Sequence, residues 1–417
     1  MSSDTLISKA KKWIGPVPNG WRYIPLKYAC EYNKEALSDC TDPTYTFDYI
    51  DISSVSLDDG IRSVERMSFK NAPSRARRVI RTGDVIMSTV RTYLKAIAVV
   101  PEHVFPMVAS TGFLVARAKP DVISSSYLGY VLKSESFVSA IEMESVGVSY
   151  PAINSTDAVT NYIPLPPRDA QNAIVSYLDA RCTPIDEAIA RHRAAIGKLE
   201  EYRRAVIAHT VAGKVNGLNP SCWGWKRFKF IAHVDSNLVE PDGYENWLHV
   251  SPDAIGKGDG RLLHRRTVSE DGVISGNHLF HKGAILYSKV RPRLNKVVIA
   301  PDDGLCSADM YPISTNQVTG WLRYYMLSDQ FVEQAGLVSD IRIKMPKINQ
   351  QELGDLKILV PSYEEQLDIV SHLDYQCAAV DDAIDRQHRI IARLEEYRRS
   401  LIHAAVTGHI DCTKETL

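Results

Sequence analysis

The chain lacks the features that would tie it to a membrane or to an oxidising compartment. No apolar run approaches the roughly 20 residues needed to cross a bilayer, and the first residues, MSSDTLISKAKKW, lack the apolar core of a signal peptide. The seven cysteines are odd in number and none stands in a C-x-x-C pair, which argues against a disulfide framework or a structural zinc site. We therefore expect a cytoplasmic protein with no metal site and no membrane association.

A charge excess of one sign is also lacking. The net charge of the 417 residues is −1, and 45% of them are hydrophobic, which is ordinary for a globular protein. Any surface for a polyanion must therefore be a local patch that is balanced by acidic residues elsewhere. The length allows two or three domains, each large enough to bury a core.

Motifs of catalysis are missing as well. The sequence has no G-x-x-x-x-G-K-[ST] phosphate loop and no H-E-x-x-H metal motif. The glycine-rich stretch from Gly256 to Gly260 follows no convincing strand and precedes no helix, so it is predicted to be a turn. The sequence therefore predicts no catalytic residue and no cofactor in this chain.

What the sequence does contain is an internal duplication. Residues 163–215 align without a gap onto residues 358–410, and 23 of these 53 pairs are identical. The sharpest block is LEEYRR, at Leu199–Arg204 and again at Leu394–Arg399. The preceding segments agree loosely: Gly20-Trp21-Arg22 resembles Gly224-Trp225-Lys226, and Gly83–Pro101 resembles Gly283–Pro301. Each half thus consists of a divergent segment followed by a closely repeated one.

The repeated segments are predicted to be helices with a heptad-like apolar stripe. Thr183-Pro184 is a helix-start signal and Gly213 a stop, which predicts a helix over 184–212, while the second copy has no such start. Each stripe could pack on its own domain, but its length, narrowness and duplication favour packing of one copy on the other, with His192 and Gln387 fixing the register. The predicted seam residues are Ile185, Ile189, Ile196, Leu199, Val380, Ile384, Ile391 and Leu394.

The divergent segments are predicted to be mixed α/β. Apolar β-rich runs predict strands, and two stretches predict short helices. The predicted strands are Tyr45–Ile52, Val85–Val90, Ile97–Val100, Ile285–Val290 and Lys296–Ile299, and the predicted helices are 125–142 and 319–336.

Basic residues cluster in corresponding parts of the two divergent segments. Residues 55–100 contain nine Lys and Arg against four Asp and Glu, and residues 255–300 contain nine against three. Such an excess suits DNA, because phosphate contacts supply most of the non-specific affinity and arginine can also grip guanine with two hydrogen bonds. A merely solvated basic face is the alternative. The matched Arg91 and Arg291 follow Ser88 and Ser288 at a strand end and are predicted to contact phosphates, whereas the unmatched arginines suit base reading. The predicted DNA-contacting residues are Arg75, Arg77, Arg78, Arg81, Ser88, Arg91, Lys95, Arg261, Arg265, Arg266, Ser288, Arg291, Arg293 and Lys296.

This layout resembles the specificity subunit of type I restriction–modification enzymes. The resemblance covers nearly the whole chain and is carried by the opening Trp13-Ile14-Gly15-x-x-Pro18-x-x-Trp21, the Gly83-Asp84-x-x-x-Ser88-x-Val90-Arg91 motif, the closing Ile163-Pro164-Leu165-Pro166 and LEEYRR. It implies two target-recognition domains, separated by two long helices that pair as an antiparallel coiled coil with pseudo-twofold symmetry. The implied divisions are a first recognition domain at 1–167, a first spacer helix region at 168–215, a second domain at 216–362 and a second helix region at 363–413.

The resemblance also implies partners. Each recognition domain would read one half of a split, asymmetric site in double-stranded DNA, and the helices would dock two methyltransferase subunits and the restriction subunits. S-adenosylmethionine, ATP and Mg²⁺ would bind those partners rather than this chain. Two alternatives remain: a self-contained DNA-modifying enzyme, and a coiled-coil scaffold that does not bind DNA.

The predicted helices have the length of a molecular spacer. A 29-residue helix is about 44 Å long, and half-sites one DNA turn apart are separated by about 34–36 Å. Deleting one heptad from both helices should change the gap required between half-sites and leave the half-site sequences unchanged. Selection of bound DNA from a library with random gaps measures this, and recovery of the original gap would count against a spacer role.

Overall fold

The computed structural model describes residues 13–414 except Ser149, Asn216 and Ile343. The first twelve residues, on which most of the signal-peptide prediction depends, lie outside this part. Two compact units divide the chain: Met1–His192 with Arg389–Leu417, and Arg193–His388. The first unit is discontinuous in sequence and the second is continuous, and each contains a part of both long helices.

The first unit contains two four-stranded sheets, in the orders β6-β3-β10-β7 and β2-β11-β8-β9. Only β3 and β10 run parallel within them. The strands are β1 (Arg22–Pro25), β2 (Cys30–Tyr32), β3 (Thr46–Ile50), β4 (Val55–Ser56), β5 (Gly60–Ile61), β6 (Glu65–Ser68), β7 (Ala76–Ile80), β8 (Val85–Ser88), β9 (Ile97–Val99), β10 (Met107–Ser110), β11 (Phe113–Ala118) and β12 (Tyr162–Leu165). The short helices are Leu26–Ala29, Ser125–Lys133, Glu135–Glu144 and Ser155–Ala158.

The second unit repeats this plan with a five-stranded sheet, β15-β18-β21-β16-β17, and a four-stranded sheet, β14-β22-β19-β20. Here β16 and β21 are the parallel pair. The strands are β13 (Gly224–Arg227), β14 (Ala232–Val234), β15 (Leu238–Val239), β16 (Leu248–Val250), β17 (Arg266–Thr267), β18 (Asn277–Phe280), β19 (Ile285–Ser288), β20 (Val297–Ile299), β21 (Gly304–Cys306), β22 (Met310–Thr315) and β23 (Lys357–Val360). The short helices are Thr319–Leu327, Asp329–Ser339 and Gln350–Asp355.

The two long helices span Arg168–Val211 and Tyr363–Val406. Each has 44 residues, which is about 66 Å at 1.5 Å per residue. The start predicted at Thr183-Pro184 is wrong, since the helix begins at Arg168 and continues through Pro184. Pro184 and Ala180, whose carbonyl loses its usual partner, are both exposed. Water can therefore satisfy that carbonyl while the buried stripe continues on the opposite face.

The predicted seam is largely buried. Ile185, Ile189 and Ile196 are buried on the first helix, as are Val380, Ile384 and Ile391 on the second, while Leu199 and Leu394 are half-buried. Within the first unit Arg398 pairs with Asp186, and within the second Arg203 pairs with Asp381. These contacts support the antiparallel pairing, and the register role of His192 and Gln387 stays a prediction.

The opening motif of each half covers the glycine that ends a long helix. Gly408 and Gly213 have φ angles of +77° and +71°, a left-handed conformation that glycine adopts without strain. A Cβ atom on Gly408 would meet the Pro18 ring, and one on Gly213 would meet Pro220 and Trp223. Strand register equates Arg22 with Gly224, since these pair with Leu165 and Val360. Trp21 therefore corresponds to the buried Trp223, and its sequence alignment with Trp225 is wrong by two residues.

Buried glutamines fix the start of both long helices. Gln171 donates from Nε2 to the carbonyls of Val122 and Pro166 at 3.2 and 3.1 Å, and its Oε1 accepts from the Ser124 amide at 2.9 Å. Gln366 repeats the arrangement with Pro361, Gln317 and Val318. Each glutamine therefore ties the first turn of its helix to the loop before a short helix.

Replacing Gln171 with alanine should lower the free energy of unfolding by about 2 kcal/mol, because buried backbone groups lose their hydrogen-bond partners. Urea denaturation followed by circular dichroism measures the change. The neighbouring exposed Asn172 provides the control, and its replacement with alanine should alter stability by less than about 0.5 kcal/mol. Equal effects of the two substitutions would contradict the anchoring role of Gln171.

Candidate nucleic-acid interface

Each unit carries a strained turn that presents an arginine. We name residues 88–95 and 288–295 the arginine turns. Five described non-glycine residues have positive φ, and four of them lie in these turns: Arg91, Lys95, Arg291 and Asn295, with φ between 47° and 50°. Left-handed backbone costs a residue with a Cβ atom about 1–2 kcal/mol. Such strain persists where the surrounding structure enforces it, often at functional sites.

The serines that precede these arginines hold the turns in shape. Ser88 and Ser288 are buried, and their hydroxyls donate to the carbonyls of Val90 and Val290 at 2.5 and 3.1 Å. A buried hydroxyl with an internal acceptor is not available to a ligand on the surface. Shaping of the turn therefore replaces the direct DNA contact that we predicted for both serines.

Arg91 and Arg291 are exposed at equivalent positions. The Arg91 guanidinium lies 4.8 Å from the centre of the Tyr150 ring, and among the described residues Arg291 forms no ion pair. The first turn contacts the segment after the helix Glu135–Glu144, and the second turn contacts the segment after the helix Asp329–Ser339. Thr92 donates its amide to the Pro151 carbonyl, and Arg291 donates its amide to the Pro346 carbonyl. The two arginines are therefore presented by the same backbone frame in both units.

Neighbouring basic residues are held by carboxylates or carbonyls. Lys95 lies 3.6 Å from Glu142, and Arg293 lies 2.6 Å from Asp340. Lys296 donates to the Pro252 carbonyl, and burial lowers its pKa below the usual value. The contacts of Lys95 and Arg293 join the turns to neighbouring residues, and both exposed side chains also contribute positive charge to the surface.

The remaining predicted arginines of the first unit differ in exposure. Arg75 is exposed and pairs with Asp51 at 2.5 Å, and Arg81 is exposed and pairs with Glu35 at 2.9 Å. Arg77 is half-buried against Asp39 and the Phe69 ring. Exposed pairs of this kind are worth little in water. Arg75 and Arg81 can therefore exchange their partners for a polyanion at low cost.

In the second unit the three predicted arginines differ in their exposure and their partners. Arg265 and Arg266 are exposed and lie 3.4 Å from Asp302 and Asp271. Arg261 instead pairs with Asp381 and Asp385 of the second long helix at 3.1 and 3.4 Å. The base-reading role predicted for Arg261 is therefore not supported, because its guanidinium holds the loop on the helix.

Two further basic residues, Arg78 and His278, occupy equivalent positions in the sheets of the two units. Arg78 pairs in register with Ala109, and His278 with Cys306, on matching strands β7 and β18. The Arg78 Nε and the His278 Nδ1 are buried without a hydrogen-bond partner among the described residues. Burial lowers the pKa of both groups. His278 was missed in the sequence because no basic run marks it.

Exposed apolar side chains flank both arginine turns. We name residues 143–150 and 337–345, apart from Ser149 and Ile343, the apolar loops. Val146, Val148 and Ile341 expose 81%, 102% and 82% of their surface. Apolar residues this exposed are informative when they are grouped. Composition alone did not identify these loops, because scattered valines carry no signal without exposure.

The described part of the chain contains no helix long and apolar enough to span a bilayer. Nor do these residues group three or more His, Cys, Asp or Glu side chains in an arrangement that could hold a metal ion. The fold and its surface together define a duplicated binding protein, with two related domains that each present a strained arginine turn beside exposed apolar side chains.

Comparison with known proteins identifies the class further. No family model matches the chain. The type I restriction enzyme EcoDI specificity subunit of Escherichia coli is 30% identical over 321 residues, which cover 70% of this chain and 71% of that protein. The EcoBI specificity subunit of Escherichia coli is 25% identical over 303 residues, covering 66% of this chain and 64% of that protein. A chain from a structure describing complex assembly and conformational transition of the type I R-M system superposes with a TM-score of 0.63 at 25% identity, covering 95% of this chain and 100% of that one.

The chain belongs to the family of type I restriction enzyme specificity subunits, the DNA sequence-recognition subunits of these systems. The resemblance drawn from its motifs is thereby confirmed, as are the mixed α/β class and the non-catalytic role within a multi-subunit complex. The alternatives of a self-contained enzyme and a scaffold without DNA binding are not supported.

Proposed function

We propose that this chain reads a bipartite, asymmetric target in double-stranded DNA, one half with each recognition domain. The observation that carries the proposal is the repetition of one sheet topology with dissimilar surface residues. Equivalent frames would approach DNA in the same way, and different side chains would read different bases. The pairing of the long helices would keep the two readings at a fixed separation.

The arginine turns are the proposed phosphate-binding elements. Arg91 and Arg291 are matched between the units and are exposed on a rigid turn. Phosphate contacts position a protein on DNA and carry no sequence information directly, so such contacts suit the matched residues. Arg75, Arg265 and Arg266 are exposed and unmatched, and we assign base reading to them.

The apolar loops would lie beside the same DNA. Their exposed valines and isoleucine are close in sequence to segments that contact the arginine turns. Apolar side chains recognise thymine methyl groups in the major groove or enter base steps from the minor groove. We therefore assign the apolar loops to groove contacts next to the phosphates held by Arg91 and Arg291.

The long helices are the proposed docking surface for methyltransferase and restriction subunits. We infer two methyltransferase subunits, because the helical segment occurs twice in the chain. S-adenosylmethionine, ATP and Mg²⁺ would bind those partners and not this chain. The proposed target also assigns the activity to the cytoplasm.

Co-expression of the chain with the methyltransferase and restriction subunits of its own system, followed by mapping of methylated bases in the host DNA, tests this function. The expected result is a split motif with a methylated adenine in each half, on opposite strands. A continuous motif, or methylation independent of this chain, would contradict the proposal.

Replacing Arg91 or Arg291 with alanine should weaken DNA binding by the assembled complex about equally for all sequences. Loss of one phosphate contact should also reduce the slope of log affinity against log salt by about one. Binding titrations at several salt concentrations measure both quantities. Arg265→Ala is the comparison, since it should relax the preference at one base pair instead. A sequence-dependent loss in Arg91→Ala would contradict phosphate contact.

A further inference from the structure

The fifth residue of LEEYRR is a buried arginine in both copies. Arg203 and Arg398 are only 7% and 8% exposed, although they lie among the charged residues between the apolar stripes. A guanidinium in such a place requires acceptors, because an unpaired buried charge is strongly unfavourable. The acceptors of both arginines come from a long helix and from a loop of a recognition domain.

In the first unit Arg398 contacts three acceptors. Its Nη1 donates to the Asp58 carbonyl at 3.2 Å and to the Asp186 carboxylate, and its Nη2 donates to the Asp58 carboxylate at 2.6 Å. Burial lowers the pKa of Arg398, but the Asp186 and Asp58 carboxylates outweigh it, so the pKa is raised. Asp186 belongs to the first long helix, whereas Asp58 lies in the loop between β4 and β5.

In the second unit Arg203 makes two of the corresponding contacts, although its Nε has no hydrogen-bond partner among the described residues. Its Nη2 donates to the Asp259 carbonyl, and its Nε lies 3.7 Å from the Asp381 carboxylate of the second long helix. Asp259 lies one residue before Gly260 and Asp58 two residues before Gly60, and these glycines have similar φ angles of +69° and +67°. We name residues 57–60 and 257–260 the clamp loops.

The two sets of contacts are related by the internal duplication. Arg203 corresponds to Arg398 and Asp186 to Asp381 at the same displacement in sequence (398 − 203 = 381 − 186 = 195). The chain has therefore kept both members of the pair in both copies, while the sequences of the clamp loops diverged. A contact retained twice with divergent surroundings points to a shared mechanical role.

We propose that Arg398 and Arg203 are positioning residues, each of which sets the orientation of one recognition domain on the long helices through its clamp loop. The assignment crosses the order of the chain: Arg398, near the end of the second long helix, positions the domain whose last strand is β12. Arg203, in the first half, positions the domain that follows it. This inference rests on the proposed reading of one half-site by each domain.

Arg398→Ala and Arg203→Ala, each assembled with the partner subunits, test the proposal on a library in which both half-sites and the gap are varied. Arg398→Ala should lower discrimination about tenfold at the half-site read by the first domain and widen the tolerated gap, with the other half-site unchanged. Arg203→Ala should have the reciprocal effect. Sequencing of the methylated library members measures both half-sites in one experiment.

Lys198 and Arg393 provide matched controls. They correspond to each other in the duplication, lie five residues before Arg203 and Arg398, and are exposed. Lys198→Ala and Arg393→Ala remove the same charge and should leave both half-sites unchanged. A loss in these variants like that in Arg398→Ala would overturn the proposal, because charge alone would then explain it.

A purely structural role for the arginines would lower the melting temperature without favouring one half-site. Asp186→Asn and Asp381→Asn weaken the same pairs and serve where an arginine variant fails to fold, with the same reciprocal pattern expected. Equal losses of discrimination at both half-sites, or no loss at either, would overturn the proposed positioning role. If the unmodified chain directs no bipartite methylation at all, the proposed function fails instead.

Discussion

A buried guanidinium that must find acceptors is the constraint on which the arrangement of this chain depends. Arg398 and Arg203 each find their acceptors only where the two long helices and a clamp loop come together within one unit. Removing one partner of such a pair leaves an uncompensated charge, which is far more costly than breaking a pair on the surface. The pairs therefore specify which segments meet, even where their net contribution to stability is small.

The other repeated residues serve the same junctions. Gln171 and Gln366 fix the start of each long helix, and Gly213 and Gly408 end it beneath a proline-containing segment. The close similarity of the repeated segments thus follows from the contacts they make, which are similar in both units. Residues away from these junctions have no such requirement. Their divergence is what a protein needs if its two domains are to read different sequences.

The sequence predicted well which helix faces are buried and where the main strands lie. It predicted poorly which residues contact each other. The apolar stripes, the strands that begin at Val85 and Ile285 and the turn at Gly256–Gly260 follow from local patterns. The helix start predicted at Pro184 was wrong because a helix tolerates proline where the freed carbonyl faces water. The alignment of Trp21 with Trp225 was wrong because two tryptophans lie two residues apart, and only burial distinguishes Trp223.

The candidate interface shows the same limit from another side. Composition identified the basic regions, yet it could not separate Arg261, which pairs with helix carboxylates, from the exposed Arg265. Long-range ion pairs leave no local signal, because the aspartates concerned are more than one hundred residues away in sequence. The apolar loops were hidden for a related reason, since exposure is a property of the fold and not of a valine.

The arginine turns carry the strongest internal evidence for a role of their side chains. Glycine at position 91 or 291 would relieve the left-handed strain, which costs about 1–2 kcal/mol per residue, and would keep the turn. Both copies have arginine there instead, although the next residue changes from Thr92 to Pro292 and the last turn residue from Lys95 to Asn295. Neither guanidinium is needed to hold the turn, because Ser88 and Ser288 already bond to it from inside. This retention of arginine at a strained position supports the proposal that each side chain contacts a phosphate, a partner that suits an exposed cation.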